Sequence, residues 1–156
     1  STAAFGTLVR AVARGWKGGV VQFIKSGEWR VGEEKVLTEL GVDWRSIGDG
    51  FSWDSEDLER SKGLSREAWA VAKERLASGE YDLLVLDEIT YPVNWGWLDE
   101  DEVVAAIRDR AEDTNVIVTG RDASPALIEA AHTVTRMEHV KHAYDQGILA
   151  RRGIDY

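Results

Sequence analysis

The sequence predicts an α/β fold with a parallel sheet, because short apolar runs alternate with segments of helical periodicity along the whole chain. Residues 81–88 form a nearly continuous apolar run that ends in two carboxylates, and the run at 115–120 is stopped by a glycine. Such runs are typical of central parallel strands that helices cover on both faces and right-handed crossovers connect. With 156 residues, 44% of them hydrophobic, the chain suffices for one domain, which we expect to comprise residues 1–156.

The strands are predicted from short β-branched or alternating segments, and the helices from apolar residues at helical spacing. The predicted strands are residues 19–24, 42–47, 81–88, 115–120 and 132–140, and the predicted helices are residues 3–14, 28–40, 65–77, 99–111 and 124–131. Gly15, Gly41 and Gly79 each follow a predicted helix, at the position where glycine commonly ends one. Ser65 is expected to cap its helix, and so is Ser124, which precedes a proline.

In a parallel sheet the ligand lies beyond the carboxyl ends of the strands. The loops that follow predicted strands are therefore expected to carry the functional residues, namely loops 25–35, 48–60, 88–98 and 120–124. No internal repeat or low-complexity tract indicates a different organisation.

The composition excludes several classes of protein. The absence of cysteine rules out disulfides, thiolate metal sites and thiol nucleophiles, and it favours a reducing compartment. The 19 basic and 28 acidic residues give a net charge of −9, which does not suit duplex nucleic acid. No apolar run approaches the roughly 20 residues that cross a bilayer, and the first residues lack the features of a secretory leader. We therefore expect a cytoplasmic protein that binds neither membranes nor nucleic acid.

The acid pair Asp87–Glu88, at the tip of a predicted buried strand, is the strongest functional signal. P-loop nucleotide-binding proteins place an acid at this point, near a Mg²⁺ ion that bridges phosphate oxygens. The simpler alternative is a strand that ends in a polar turn.

The phosphate-binding motif G-x-x-x-x-G-K-[ST], which should accompany such a pair, is not among these residues. The chain opens with STAAFGTLVRA, a hydroxyl residue before an apolar helix, and this pattern is typical of the residues immediately after that motif. We expect the first strand and the phosphate loop to precede Ser1, whose hydroxyl would then bind Mg²⁺. The alternative is that Ser1 only caps the helix.

Aromatic and basic residues in the other loops complete the candidate set. Phe51 and Trp53 alternate, so in extended backbone both rings point the same way, either as a wedge against a planar ligand or back onto the core. Arg121 follows a predicted strand and would bind an anion or form a surface salt bridge. Trp95 and Trp97 suit a lid or a dimer contact. The histidines show no zinc-binding spacing, and no nucleophile-elbow motif supports Ser-His-Asp catalysis.

Segments along nearly the whole chain resemble the P-loop-type ATP:co(I)rrinoid adenosyltransferases of bacterial cobalamin metabolism. They are STAAFGT (1–7), GVVQFIK (19–25), GFSWD (50–54), VLDEITY (85–91), VIVTGR (116–121) and VKHAYDQGILARRGIDY (140–156). The segments occur in order and their combination is specific, whereas VLDE alone would match many P-loop proteins.

The resemblance implies a RecA-like P-loop NTPase-type fold and a homodimer. The implied reaction transfers the 5′-deoxyadenosyl group of ATP to Co(I) of a corrinoid and releases triphosphate. Cobalt is the nucleophile, so the protein contributes positioning and charge stabilisation. Phe51 and Trp53 would crowd the lower face of the corrin and help to remove its lower axial ligand, which eases reduction of Co(II) to Co(I).

The resemblance also implies the nucleotide and metal contacts. The implied metal ligands are Ser1, Asp87 and Glu88, with Asp87 in a supporting role, and the implied nucleotide contacts are Ser1, Thr2, Lys25 and Arg121. A reductase or a flavodoxin-type partner would supply the electron to cobalt. The alternatives are another P-loop Mg²⁺-dependent ATPase or kinase, in which Glu88 would serve near the γ-phosphate, and a non-catalytic corrinoid or nucleotide carrier.

Overall fold

A parallel sheet forms the centre of the computed structural model, which describes residues 1–25, 32–50 and 55–154. Within these residues, four parallel strands lie in the order β2-β1-β3-β4. The strands are β1 (Gly18–Gln22), β2 (Asp43–Ser46), β3 (Leu83–Asp87) and β4 (Asn115–Val118). The helices are α1 (Thr2–Val12), α2 (Gly32–Glu39), α3 (Ser55–Ser78), α4 (Thr90–Asn94), α5 (Glu100–Arg108) and α6 (Pro125–Ala130), and a 3₁₀ turn comprises Tyr144–Gln146. The predicted parallel α/β fold is confirmed, and it is consistent with the RecA-like P-loop type.

Helices cover both faces of the central strands, as predicted. Leu84 and Leu86 of β3 pack in a core with residues of α3, α4, α5 and α6, whereas Leu83 and Val85 pack in a second core with α1 and α2. This division follows from the alternation of side chains along a strand. β1 and β3 are buried along their whole length. β4 was expected to be equally buried but is only partly so, because among the described strands it has a neighbour on one side only.

The boundaries predicted from glycine and from Ser124 are confirmed. Gly15, Gly41 and Gly79 have positive φ after their helices, a conformation that glycine adopts without a Cβ penalty. The Ser124 hydroxyl accepts a hydrogen bond from the N–H of Leu127 and so caps α6.

α3 begins at Ser55, well before the predicted cap, so the prediction for Ser65 is wrong. Ser65 lies inside the helix and is buried. The buried face of α3 continues through small side chains at helical spacing, namely Ser61, Ser65, Ala68 and Ala72. Hydroxyl residues can occupy such a face, but they conceal the apolar periodicity from which a helix is predicted. None of the described helices, including this one, combines the length and the apolar character that a membrane span requires.

The strand predicted at 132–140 is absent, so that prediction is also wrong. Alternation specifies a strand when one of its faces is buried. In this segment the apolar side chains have no buried surface to pack against, and Met137 and Val140 are 76% and 89% exposed. The first part of the helix predicted at 28–40 lies outside the described residues, and α2 is described from Gly32.

An ion pair between buried Arg75 and partly exposed Asp43 connects α3 to β2. Nη2 of Arg75 lies 2.6 Å from Oδ2 of Asp43, and Nη1 donates to the carbonyl oxygens of Val20 and Asp43. The Tyr81 hydroxyl donates to the same Asp43 oxygen at 2.6 Å. Burial raises the pKa of Asp43, but the Tyr81 hydrogen bond and the Arg75 charge outweigh it and hold this pKa below its ordinary value. Burial and the bond to Asp43 raise the pKa of Tyr81 to about 12.

Replacing Asp43 tests this ion pair. Asp43→Ala leaves the guanidinium of Arg75, which is 8% exposed, without its carboxylate, and it is expected to lower the free energy of unfolding by about 2 kcal/mol at pH 7. Because the folded-state pKa of Asp43 is lowered, this loss is present above the ordinary carboxyl pKa and disappears as the pH falls through the lowered value.

The matched control is Arg45→Ala, since Arg45 also lies beside Asp43 but its side chain is 63% exposed. We expect it to cost less than about 0.5 kcal/mol. Urea denaturation at a series of pH values measures both variants. Equal losses of unfolding free energy in the two variants would contradict a stabilising role for the Arg75–Asp43 ion pair.

Candidate active site

The candidate site lies at the carboxyl end of β3, where two consecutive carboxylates have different surroundings. Asp87 is fully buried, and its two oxygens accept hydrogen bonds from Nε2 of Gln22 at 2.8 Å and from the Thr119 hydroxyl at 2.7 Å. The side chain of Glu88 is 21% exposed. Glu88 also has a φ of 64°, a left-handed conformation that costs a non-glycine residue roughly 1 kcal/mol or more. Asp87 is thus held inside the structure, whereas Glu88 is accessible at the sheet edge.

Several predicted site residues lie within electrostatic range of Glu88. Burial raises the pKa of Glu88 above its ordinary value, and the Asp87 charge raises it further. The Lys25 ammonium, 3.9 Å from Oε1 of Glu88, offsets part of this effect, and the Arg121 charge offsets less of it. The main-chain nitrogen of Ser1 also lies within electrostatic range of Glu88. The structure therefore brings Ser1, Lys25 and Arg121 together around one partly buried carboxylate.

The loop that carries Arg121 is fixed by contacts with α4. Nδ2 of Asn94 donates to the carbonyl oxygens of Arg121 and Asp122, at 3.3 and 3.0 Å. Gly120 has a φ of 147°, and a Cβ at this position would overlap the Thr90 side chain. Thr90 and Gly120 therefore approach more closely than any other residue at 120 would allow, and this contact sets the path of the chain into Arg121.

The two residues that begin the chain have different surroundings. Ser1 precedes α1, but its side chain makes no capping hydrogen bond, so the alternative that it serves as a cap is not supported. Thr2 lines a groove of about 480 Å³ between α1 and α2, together with Phe5, Val9 and Val36. Among the described residues, no hydrogen bond or ion pair joins Thr2 to Glu88.

The aromatic pair Phe51 and Trp53 lies outside the described residues. The segment before it starts at the same sheet edge, because the N–H of Gly50 donates to the carbonyl oxygen of Ile24 at 3.2 Å, just after β1. Gly50 therefore lies close to the residue before Lys25.

Trp95 and Trp97 belong to an aromatic cluster with Tyr91. The ring centroids are 5.4 Å apart for Tyr91 and Trp95 and 4.7 Å apart for the two indoles. Trp97 is 7% exposed and Trp95 is 40% exposed. Trp97 thus contributes to packing, and Trp95 is the more exposed of the two indoles.

A groove of about 600 Å³ between α3 and the segment 93–102 is lined in part by Trp97, but by none of the predicted nucleotide-binding or metal-binding residues. We place the site at Glu88 instead, because ligands of parallel α/β proteins bind beyond the carboxyl ends of the strands. Among the described residues, no group of three His, Asp or Glu side chains could hold a metal ion by itself. Mg²⁺ at a nucleotide site needs only one or two carboxylates, because phosphates and water supply the remaining ligands.

The sequence reasoning missed Gln22 and Thr119, the two residues that hold Asp87. Both are polar and stand at or just after the end of an otherwise apolar strand, at the level of Asp87 in the neighbouring strand. A polar residue at the same position of adjacent predicted strands is the signal that would have found them.

The whole chain, residues 1–156, matches the sequence model of the family described as "ATP:corrinoid adenosyltransferase BtuR/CobO/CobP". The chain belongs to this family. The resemblance stated from the sequence is therefore confirmed. Members of the ATP:corrinoid adenosyltransferase family transfer the adenosyl group of ATP to a corrinoid.

Individual relatives agree with the family assignment. The chain is similar to a corrinoid adenosyltransferase of Escherichia coli K12, with 45% identity over 156 residues that cover 100% of this chain and 79% of the relative. A corrinoid adenosyltransferase of Pseudomonas aeruginosa is 42% identical, over 100% of this chain and 77% of the relative. One from Sinorhizobium sp is 36% identical, over 100% of this chain and 74% of the relative.

The raised pKa of Glu88 predicts that its carboxylate lowers the stability of the folded protein. Above its ordinary pKa, the ionised carboxylate destabilises the folded state, so Glu88→Gln is expected to raise the midpoint of thermal unfolding at pH 8. The gain should vanish below the ordinary pKa, where the carboxyl is protonated in both states. Glu102→Gln is the control with the opposite sign, because the hydrogen bond from Lys73 lowers the pKa of Glu102. A lower midpoint for Glu88→Gln at pH 8 would show that the ionised Glu88 carboxylate does not destabilise the folded protein.

Proposed function

We propose that this protein transfers the 5′-deoxyadenosyl group of ATP to the Co(I) centre of a corrinoid. Cobalt donates its electron pair to C5′ of the ribose, and a cobalt–carbon bond forms. The bond between C5′ and the triphosphate oxygen breaks, its electron pair leaves with triphosphate, and Co(I) becomes Co(III). The chain need not supply a nucleophile, so its contribution is to position two substrates and to stabilise the leaving charge.

The observation that carries this proposal is the family match over residues 1–156. The site supports it, since positive charges at Lys25 and Arg121 act on the same sheet edge as the accessible Glu88. A triphosphate leaving group is polyanionic, and cationic side chains at fixed positions stabilise its developing charge.

The residues at this edge fit a Mg²⁺ ion. Glu88 offers an accessible carboxylate, and the Ser1 side chain is not engaged in capping α1. Both are hard oxygen donors, which Mg²⁺ prefers. We propose that Glu88 and Ser1 hold the ion and that Asp87 supports them, because both Asp87 oxygens already accept hydrogen bonds. When bound, Mg²⁺ neutralises charge on the phosphate oxygens.

Lys25 and Arg121 have complementary tasks in this proposal. Lys25 forms an ion pair with the Glu88 carboxylate. Once a bound metal ion compensates the charge of Glu88, the Lys25 ammonium would contact phosphate instead. Arg121 is exposed on a loop that Asn94 holds, which suits a guanidinium that binds phosphate oxygens with two donors. Thr2 remains a proposed nucleotide contact in the first turn of α1.

Phe51 and Trp53 are proposed to press on the lower face of the corrin. A planar macrocycle with a large apolar surface suits aromatic contacts. Removal of the lower axial ligand makes the metal easier to reduce, since axial ligands set the electronics of such centres. The two rings would therefore act on the step from Co(II) to Co(I).

We also propose that the protein acts as a homodimer and receives its electron from a reductase or a flavodoxin-type partner. The segment that follows α6 supports association, because it exposes large apolar side chains. They are Met137, Val140, Tyr144, Leu149 and Ile154, with exposed fractions of 71% to 89%. Exposed apolar side chains at this density commonly mark a contact surface.

The reaction can be tested with the full-length protein, ATP, Mg²⁺ and a chemically reduced corrinoid. We expect a cobalt–carbon product in the visible spectrum and one triphosphate per product. Glu88→Gln is expected to lower kcat by about 100-fold, because it removes the charged ligand at the metal. Asp101→Asn, an exposed acid in α5, should leave kcat unchanged. ADP and phosphate without alkylated corrinoid would indicate an ATPase, and binding without turnover would indicate a carrier.

The role of the aromatic pair is separable from the transfer step. Phe51→Ala and Trp53→Ala are expected to slow adenosylation from Co(II) at least about tenfold more than adenosylation from chemically supplied Co(I). Trp16→Ala is the matched control, since Trp16 is 44% exposed in the connection between α1 and β1 and should affect neither rate. Equal losses from both cobalt states would exclude the axial-ligand role.

A further inference from the structure

A row of polar side chains crosses the sheet at its carboxyl end. Ser46, Gln22 and Asp87 share one register position on β2, β1 and β3. Thr119 occupies the corresponding position after β4, because the residue pair before it, Leu86 and Val118, is in register. We call Ser46, Gln22, Asp87 and Thr119 the polar row.

The polar row is hydrogen-bonded from one end to the other. The Ser46 hydroxyl donates to Oε1 of Gln22 at 3.1 Å, and Nε2 of Gln22 donates to Asp87 at 2.8 Å. The Thr119 hydroxyl donates to the other Asp87 oxygen at 2.7 Å and accepts the N–H of Glu88 at 3.0 Å. The row therefore ends on the backbone of the residue that we propose as the metal ligand.

The direction of each bond in the polar row is fixed by chemistry. At one end, the indole of Trp44 can only donate, and its Nε1 donates to the Ser46 hydroxyl at 2.8 Å. Both Asp87 oxygens accept hydrogen bonds, and Gln22 accordingly presents its amide nitrogen to Asp87 and its oxygen to Ser46. For the same reason the Thr119 proton must point to Asp87, which leaves its lone pairs for the N–H of Glu88.

The packing of the sheet does not by itself require this row. Val20 and Val85 lie two residues before Gln22 and Asp87, on the same face, in an apolar core. Continuing that core to the strand ends would avoid the cost of burying a carboxylate and an amide, both of which have no exposed surface. What the row adds is a fixed position for the N–H of Glu88, at a backbone conformation that glutamate does not adopt without support.

We propose that Thr119 is a positioning residue for Glu88 and that Gln22 acts through Asp87 and Thr119 to the same end. Thr119 holds the strained peptide of Glu88 and thereby aims its carboxylate at the metal ion. Gln22 fixes the Asp87 carboxylate to which Thr119 donates. This inference rests on the proposed function, in which Glu88 binds Mg²⁺ beside the triphosphate.

The proposal predicts that loss of function depends on the hydroxyl at 119 and decreases along the polar row. Thr119→Val keeps the shape of the side chain but removes both bonds, whereas Thr119→Ser keeps both. Gln22→Leu removes the bond that orients Asp87, and Ser46→Ala removes a bond further from Glu88. We expect the effects to decrease in the order Thr119→Val, Gln22→Leu, Ser46→Ala.

The experiment is a titration of the full-length protein with Mn²⁺ in the presence of ATP, followed by electron paramagnetic resonance. Thr119→Val is expected to weaken Mn²⁺ binding by about tenfold, as loss of a residue that orients a metal ligand commonly does. Thr119→Ser should restore binding to within about threefold of the wild type. With chemically supplied Co(I) and a series of corrinoid concentrations, Thr119→Val should lower kcat and leave KM for the corrinoid unchanged.

Thr114→Val is the matched control for a purely structural effect. Thr114 is a buried threonine whose hydroxyl donates to the carbonyl oxygen of Tyr81, just before β4 at the opposite end of the sheet. It should lower the midpoint of thermal unfolding without changing Mn²⁺ binding.

Three results would overturn the proposal: wild-type Mn²⁺ affinity in folded Thr119→Val, an equal change in Thr114→Val, or no restoration by Thr119→Ser. If the wild type formed no adenosylated corrinoid, the proposed function would fail. The Mn²⁺ titration would still decide the role of Thr119, so the two failures are distinguishable.

Discussion

The buried carboxylate of Asp87 is the constraint on which the arrangement of the site depends. A carboxylate without exposed surface must receive hydrogen bonds, and Asp87 receives one from Gln22 on β1 and one from Thr119 after β4. The two strands that flank β3 are thereby fixed to each other at their carboxyl ends. The chain leaves this fixed point through Glu88 in a left-handed conformation, so the direction of the accessible carboxylate follows from the burial of its neighbour.

The two ends of the sheet contrast in their electrostatics. Near the amino ends, Arg75, Asp43 and Tyr81 satisfy one another, and the pKa of Asp43 lies below its ordinary value. At the carboxyl ends, burial raises the pKa of Glu88 even though Lys25 is nearby. A shifted carboxyl pKa of this kind is common at functional sites, and it agrees with the proposal that Glu88 binds a cation. The ion pair at the amino ends therefore stabilises the folded state, whereas the ionised Glu88 at the carboxyl ends destabilises it.

The sequence alone predicts the elements whose burial pattern is simple. β1 and β3 are apolar up to their last residues, and Ser124 caps α6 through a local hydrogen bond, so these features need no knowledge of distant residues. The start of α3 was missed because its buried face contains serine and alanine. The strand at 132–140 was wrong because alternation does not show whether a buried partner exists.

In the candidate site, too, the residues that depend on local sequence were predicted and those that depend on distant strands were not. Glu88 and Arg121 were predicted because they follow strands, and position after a strand is a local property. The roles of Gln22 and Thr119 depend on register between strands that are distant in sequence, which periodicity does not provide. The family resemblance identified the chemistry, and the structure adds which of the two acids is accessible.

The most direct test of the account is a crystal structure of the full-length protein with ATP, Mn²⁺ and a corrinoid, with anomalous data at the manganese and cobalt absorption edges. We expect manganese to be coordinated by a carboxylate oxygen of Glu88 and by the triphosphate. Asp87 should still be bonded to Gln22 and Thr119, and cobalt should lie beyond the carboxyl ends of β1 and β3. Manganese bound away from Glu88, or coordinated by Asp87 after its hydrogen bonds have broken, would contradict it.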